Sequence, residues 1–218
     1  MLLGGDGMKL SELFENCLTR SYKEASGEVS YAFECVGKTL YIYLEASNGI
    51  SDWRRNLAFP AKAYRTDKGI WFAHRGFLSA WKILRPIVLS QVLNQRPSTI
   101  VSLGYSHGAA IATLCHEYLF YHRLVPSDAL FGFAFASPRV LWGRVDDRRW
   151  EKFTVIRNRG DLVTHLPPLI FGFRHVGQIL RIGEKGRYGQ LEAHTPDAML
   201  SELRRYEKEE NSIRLAIP

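Results

Sequence analysis

The stretch that decides the fold is Ser98–His122, STIVSLGYSHGAAIATLCHEYLFYH. Its opening, Ser98 to Tyr105, carries Ile100, Val101 and Leu103 in a short apolar run, the pattern of a buried strand. From His107 onward, Ile111, Leu114, Cys115 and Tyr118 fall at helical spacing, so a helix is expected over His107–His122. The junction reads Gly104-Tyr105-Ser106-His107-Gly108, a G-x-S-x-G pentapeptide. Five residues alone recur by chance. A strand directly before them and an Ala-rich helix directly after are what a nucleophile elbow requires. In such an elbow the serine sits at the tip of a strained turn that lifts its hydroxyl above the sheet. Gly104 and Gly108 remove side chains where strand and helix backbones nearly touch. Ala109 and Ala110 continue that close approach, and the helix N-terminus aims free N–H groups at developing negative charge.

A serine hydroxyl needs a base to become a nucleophile, and the base needs an orienting carboxylate. Proteins built on this elbow order the three as Ser, then Asp or Glu, then His. Asp161 meets the second requirement, because Asn158-Arg159-Gly160-Asp161 follows a strand expected over Lys152–Arg157. Of the seven histidines, His74, His107, His116 and His122 precede Asp161. His165 lies on the same loop as Asp161, and His175 falls inside a strand expected over His175–Ile182. His194 sits in a polar loop at the start of the last helix and is the expected base, with His165 and His175 as the alternatives.

Working outward, Lys9–Lys23 has apolar residues at helical spacing, giving an N-terminal helix over about 8–24. Val29–Cys35 and Thr39–Leu44 read as a hairpin around Val36-Gly37-Lys38. Ser47–Asn56 is a polar loop around Trp53, and Gly69–Ala73 a short strand. Phe77–Gln95 is expected as a helix that Pro86 should kink. Ala129–Ala136 gives a further strand and Asp197–Glu207 a final helix. Strands alternating with helices imply an α/β fold, a mostly parallel central sheet flanked by helices with an antiparallel edge. A single domain is expected over residues 1–218.

Hydrophobic residues at 46% and charged residues at 23% suit a globular chain with an ample core. No apolar run approaches the roughly 20 residues of a spanning helix, so integral membrane association is not expected, although transient contact with a lipid surface is. The basic excess of +7 is interleaved with acids, as in Arg144–Arg149 and Glu202–Glu210, which argues against a nucleic-acid partner. The N-terminus lacks the pattern of a secretory signal, and three scattered cysteines (Cys17, Cys35, Cys115) suggest reduced thiols. Together these give an expected cytoplasmic location. The chemistry implied by Ser106, Asp161 and His194 needs no metal and no organic cofactor.

At this point the chain resembles the class 3 (fungal-type) lipases of the α/β-hydrolase superfamily, over about 39–200. Tyr41–Ser47 (YIYLEAS) is similar to the family strand ending in Phe-Arg-Gly-Ser/Thr, and Ser51–Leu57 (SDWRRNL) to the Trp-containing lid segment. His74–Trp81 (HRGFLSAW) resembles the His-x-Gly-Phe block. Asp161–Pro168 (DLVTHLPP) resembles the segment that opens with the triad aspartate, and Arg174–Gly177 (RHVG) a strand motif whose histidine is not catalytic. The resemblance implies ester hydrolysis by a lipase or esterase through an acyl-enzyme, acting on a small-molecule ester or lipid. It implies Ser106, Asp161 and His194 as the triad. The oxyanion hole would combine the backbone N–H groups of Ser47 and His107, and Ile50, Trp53, Leu57 and Tyr105 would meet lid or substrate. Glu45-Ala46 departs from the family's Arg-Gly, and the charged lid segment (Asp52, Arg54, Arg55) suggests short or soluble acyl chains. Phospholipase, thioesterase or acyltransferase activity with the same triad, or a catalytically impaired binding protein, remain the alternatives at this stage. The sequence sets no oligomeric state.

Overall fold

In the computed structural model of the chain, the described residues are 8–26, 29–46, 61–66, 69–143, 148–209 and 214–215. A seven-stranded mixed sheet forms the centre. Its strands are β2 (Lys23–Ser26), β3 (Val29–Val36), β4 (Thr39–Ala46), β7 (Thr99–Tyr105), β8 (Leu130–Phe135), β10 (Phe153–Asn158) and β12 (Gln178–Ile182). Their spatial order is β12-β10-β8-β7-β4-β3-β2. The five from β4 to β12 are mutually parallel, while β2 and β3 run antiparallel at one edge. The expected α/β architecture with an antiparallel edge is therefore present. A small antiparallel sheet, β11-β9-β6-β5, is built from β5 (Ala61–Thr66), β6 (Gly69–His74), β9 (Leu141–Trp142) and β11 (Phe173–Arg174). Two-residue strands β1 (Met8–Lys9) and β13 (Arg214–Leu215) pair with each other.

Among the described residues four α-helices accompany the sheet: α1 (Leu10–Thr19), α2 (Arg75–Gln95), α3 (His107–His122) and α4 (Pro196–Glu209). Strand alternation sorts the apolar residues into two cores, as the two-residue period of a strand requires. Leu40, Ile42 and Leu44 of β4 and Ile100 of β7 join Trp81 and Leu84 of α2 and Ile111 and Leu114 of α3. The intervening Tyr41, Tyr43, Val101 and Leu103 join Leu13 and Phe14 of α1 and Met199 and Leu203 of α4. Strands β7 and β8 are apolar nearly throughout, because parallel strands covered on both faces have no solvent side. Helix α3 is buried from Gly108 through Leu119, with no polar face.

Several boundaries differ from those read in the sequence. The N-terminal helix ends at Thr19 rather than near residue 24. The chain then adds the polar strand β2 to the sheet edge, where exposed, charged residues suit a strand with one open side. Helix α2 begins at Arg75 and runs through Pro86 as one element to Gln95. The strand expected over His175–Ile182 starts only at Gln178, so His175 lies in a connecting segment. Strand β5 carried no clear alternation in its sequence, Ala-Lys-Ala-Tyr-Arg-Thr, and gains its extended form by pairing with β6. Residues 47–60 lie outside the described residues, and with them the expectations for Ser47, Ile50, Trp53 and Leu57.

Candidate active site

Strand β7 delivers its last residue, Tyr105, to a turn and α3 starts two residues later. Between them Ser106 adopts φ 53° and ψ −115°, a conformation that L-residues enter only when the surroundings enforce it. The enforcement is close packing. A Cβ on Gly104 would lie 2.5 Å from the backbone of Gly108, and one on Gly108 only 2.0 Å from the Leu44 carbonyl oxygen. Strand β4, strand β7 and helix α3 thus meet at backbone distance. The Ser106 N–H donates to the Phe135 carbonyl at the end of β8 (2.9 Å), and the Ala136 N–H donates to Ile156 of β10 (2.8 Å).

The structure brings the three expected residues together. Ser106 Oγ lies 2.8 Å from His194 Nε2, and His194 Nδ1 lies 2.8 Å from Asp161 Oδ2. Asp161 and His194 are fully buried, while Ser106 keeps partial access to solvent. Asp161 leaves the C-terminal end of β10 in a turn closed by its own N–H to the Asn158 carbonyl (3.2 Å). Its second oxygen, Oδ1, accepts the Val163 N–H (2.9 Å), and Thr164 Oγ1 donates to its carbonyl (2.9 Å). Both carboxylate oxygens are therefore fixed, which sets the direction from which the imidazole must approach.

His194 ends a 3₁₀ turn, Glu192–His194, directly before α4. Asn158 Nδ2 donates to the Ala193 carbonyl (3.0 Å), tying that turn to β10. The Tyr105 hydroxyl donates to the His194 carbonyl, and the two rings stack with centroids 5.4 Å apart. Tyr105 was expected to meet lid or substrate. In the structure it supports the histidine and packs on Phe14, and burial with the nearby Asp161 charge holds its phenol protonated. Asn158 was not singled out from the sequence, although its place three residues before Asp161 was the available signal.

The competing histidines are engaged elsewhere. His165 Nε2 accepts from the Arg157 guanidinium (2.9 Å), and burial together with Arg157 and Arg139 lowers its pKa. His175 Nε2 donates to the Thr164 carbonyl (2.7 Å), and burial, then Arg157, pushes it down to about 3. His107, first residue of α3, has an N–H with no helical acceptor, as all first-turn amides do. Its ring packs on Phe77 at 5.1 Å, its two ring nitrogens are buried without hydrogen bonds, and burial lowers its pKa to about 4. The imidazole is thus neutral and apolar in use, while its backbone N–H stands beside Ser106. Among the described residues no group of three or more His, Cys, Asp or Glu side chains is arranged to hold a metal.

The strand order, the elbow and the three converging side chains define an α/β-hydrolase. Residues 41–171 match the family described as lipase (class 3), and the chain belongs to that family. The lipase of Rhizomucor miehei is 32% identical over 154 residues, covering 65% of this chain and 41% of the relative. The secreted mono- and diacylglycerol lipase 1 of Fusarium solani is 27% identical over 146 residues, covering 63% and 42%. The solved Rhizomucor miehei triacylglyceride lipase superposes with a TM-score of 0.65 at 26% identity, over 76% of this chain and 65% of that one. The chain spans about two fifths of the length of the curated relatives it matches. These relatives overturn the expected cytoplasmic location, since the family includes a lipase whose own name states that it is secreted. The cysteine argument failed for a physical reason. All three cysteines are unpaired, two are buried, and a buried free thiol is compatible with either redox compartment.

Proposed function

We propose that this protein hydrolyses carboxylic esters of lipids through an acyl-serine intermediate. The observation that carries the reading is the unbroken chain of two 2.8 Å contacts from Ser106 through His194 to Asp161. In the first step His194 Nε2 takes the Ser106 proton as Oγ attacks the ester carbonyl. The Nδ1–H donated to Asp161 keeps Nε2 free to accept and stabilises the imidazolium that forms. The His107 N–H receives the developing oxyanion, with Ser47 as the second donor that the family resemblance implies. His194 then protonates the departing alcohol, and water repeats the sequence on the acyl-enzyme.

The relatives named as triacylglyceride and as mono- and diacylglycerol lipases support an acylglycerol substrate. A lipid surface is further supported by an apolar ridge at Leu169, Ile170 and Phe171, of which Ile170 is 87% exposed, with Trp142 also exposed. The purified protein is expected to hydrolyse p-nitrophenyl butyrate and tributyrin and to react covalently with a fluorophosphonate probe. Ser106→Ala should abolish both. Probe labelling or turnover that persists in that variant defeats the proposal.

A further inference from the structure

Strands β10 and β12 are in parallel register with Arg157 directly beside Arg181. Like charges opposite one another destabilise a sheet, so such a pair calls for a compensating anion. Arg157 is only 8% exposed, and its Nε is buried without a hydrogen-bond partner. A third guanidinium, Arg139, is 5% exposed and spends one Nη on the carbonyls of His165 and Pro167. These three, with Arg159 and Lys185, line an open cavity of about 750 Å³, and no Asp or Glu is among the described residues of its wall. Among the described residues none of the five cations takes part in an ion pair. Asp161, whose chain neighbours Gly160 and Leu162 line the cavity, is already committed to His194 and to the Val163 N–H. Burial, then the charges of Arg139 and Arg181, hold Arg157 down to about 10, with Asp161 acting in the opposite direction.

We propose that this cavity binds a phosphate-class oxyanion at a site separate from Ser106. Planar guanidiniums present paired N–H donors that match the oxygen spacing of phosphate, and side-by-side Arg157 and Arg181 offer two such forks. Five unpaired cations exceed what one monovalent carboxylate would balance, which favours a dianion. The phosphate comes either free in solution or as the monoester headgroup of a lipid. The apolar residues Leu162 and Leu169 on the same wall could accommodate the lipid's glycerol and acyl portion.

Titration calorimetry at low ionic strength, with inorganic phosphate added to the full chain, should give saturable binding with one site per chain. Phosphate should also raise the melting temperature, because it binds the folded state. Vesicles of phosphatidylcholine with phosphatidic acid, compared with phosphatidylcholine alone, distinguish the two sources. Retention on the acidic vesicles identifies the lipid headgroup, and binding of inorganic phosphate alone identifies the free anion. Arg181→Gln, an exposed position, should weaken binding at least tenfold, and Arg157→Gln should do the same if it folds. Butyrate, a monocarboxylate, should bind at least tenfold more weakly than phosphate. The proposal is overturned by no saturable binding of either phosphate source, by unchanged affinity in Arg181→Gln, or by butyrate binding as tightly as phosphate.

Discussion

Replacing Gly108 by alanine tests how the elbow is held. The new Cβ would stand 2.0 Å from the Leu44 oxygen, 2.9 Å from the Leu44 carbonyl carbon and 3.1 Å from the Glu45 Cα, whereas ordinary contact begins near 3.4 Å. All three atoms belong to backbone, so no side chain can swing aside. Helix α3 and the end of β4 must part by about 1 Å or more. That displacement falls on the His107 N–H and on the strand leading to residue 47. A misplacement of about 1 Å at reacting groups typically costs on the order of 100-fold in rate. Overpacking of this kind typically destabilises by about 1–3 kcal/mol. Gly37→Ala provides the control: at φ +60° with nothing within 4 Å, it should cost about 1–2 kcal/mol through backbone strain alone. The assays are kcat/KM on p-nitrophenyl butyrate, the rate of fluorophosphonate labelling and the melting temperature of both variants. Gly108→Ala should lose turnover and labelling together, and Gly37→Ala only stability. Wild-type turnover in Gly108→Ala, or equal loss in both variants, would refute the reasoning.

Asp161→Asn should preserve the fold yet lower kcat by about 10⁴-fold, because an amide at Oδ2 no longer enforces the Nδ1–H tautomer; a loss below tenfold speaks against its role. Ile170→Asp should reduce the ratio of activity on emulsified triacylglycerol to that on a soluble ester, and an unchanged ratio removes the apolar ridge from surface binding. Burial pushes His74, His107 and His116 down to about 4 and His175 to about 3, against 6.5 in a free chain. Between those values the unfolded chain binds protons that the folded chain refuses, so stability is full above pH 6.5 and is lost on acidification toward 4. For the wholly buried His116 alone the linkage amounts to about 3 kcal/mol. Melting temperatures measured from pH 7 to pH 4 should fall steadily, and a flat profile would contradict neutral, buried imidazoles.

Local signals carried most of what was legible in the sequence. The elbow was readable because strand, turn and helix are contiguous from Thr99 to His122 and each obeys its own period. Chain order and loop position singled out Asp161 and left His194 as the expected base with His165 and His175 as alternatives, although each is brought to Ser106 from a separate strand or turn. What escaped depends on partners distant in the chain. The Lys23–Ser26 and Ala61–Thr66 strands have little periodicity of their own and become extended only by pairing with a neighbour. The support that Tyr105 gives His194 was not legible because its hydroxyl meets a carbonyl 89 residues away. The adjacency of Arg157 and Arg181 follows from sheet register, which no pattern within either strand encodes.

The hydrogen bonds at the end of β8 bear on how the site would come apart. Asp161 and the turn carrying His194 are both moored to β10, the latter through Asn158, so acid and base travel as one piece. The serine rides on β7, and β8 alone lies between them, clasping each side through Phe135 and Ala136. Loosening that middle strand, together with the Tyr105 hydroxyl's bond to the His194 carbonyl, would separate hydroxyl from imidazole while leaving the carboxylate–imidazole couple whole. Heat or denaturant should therefore abolish fluorophosphonate labelling of Ser106 before it dismantles the partnership of residues 161 and 194.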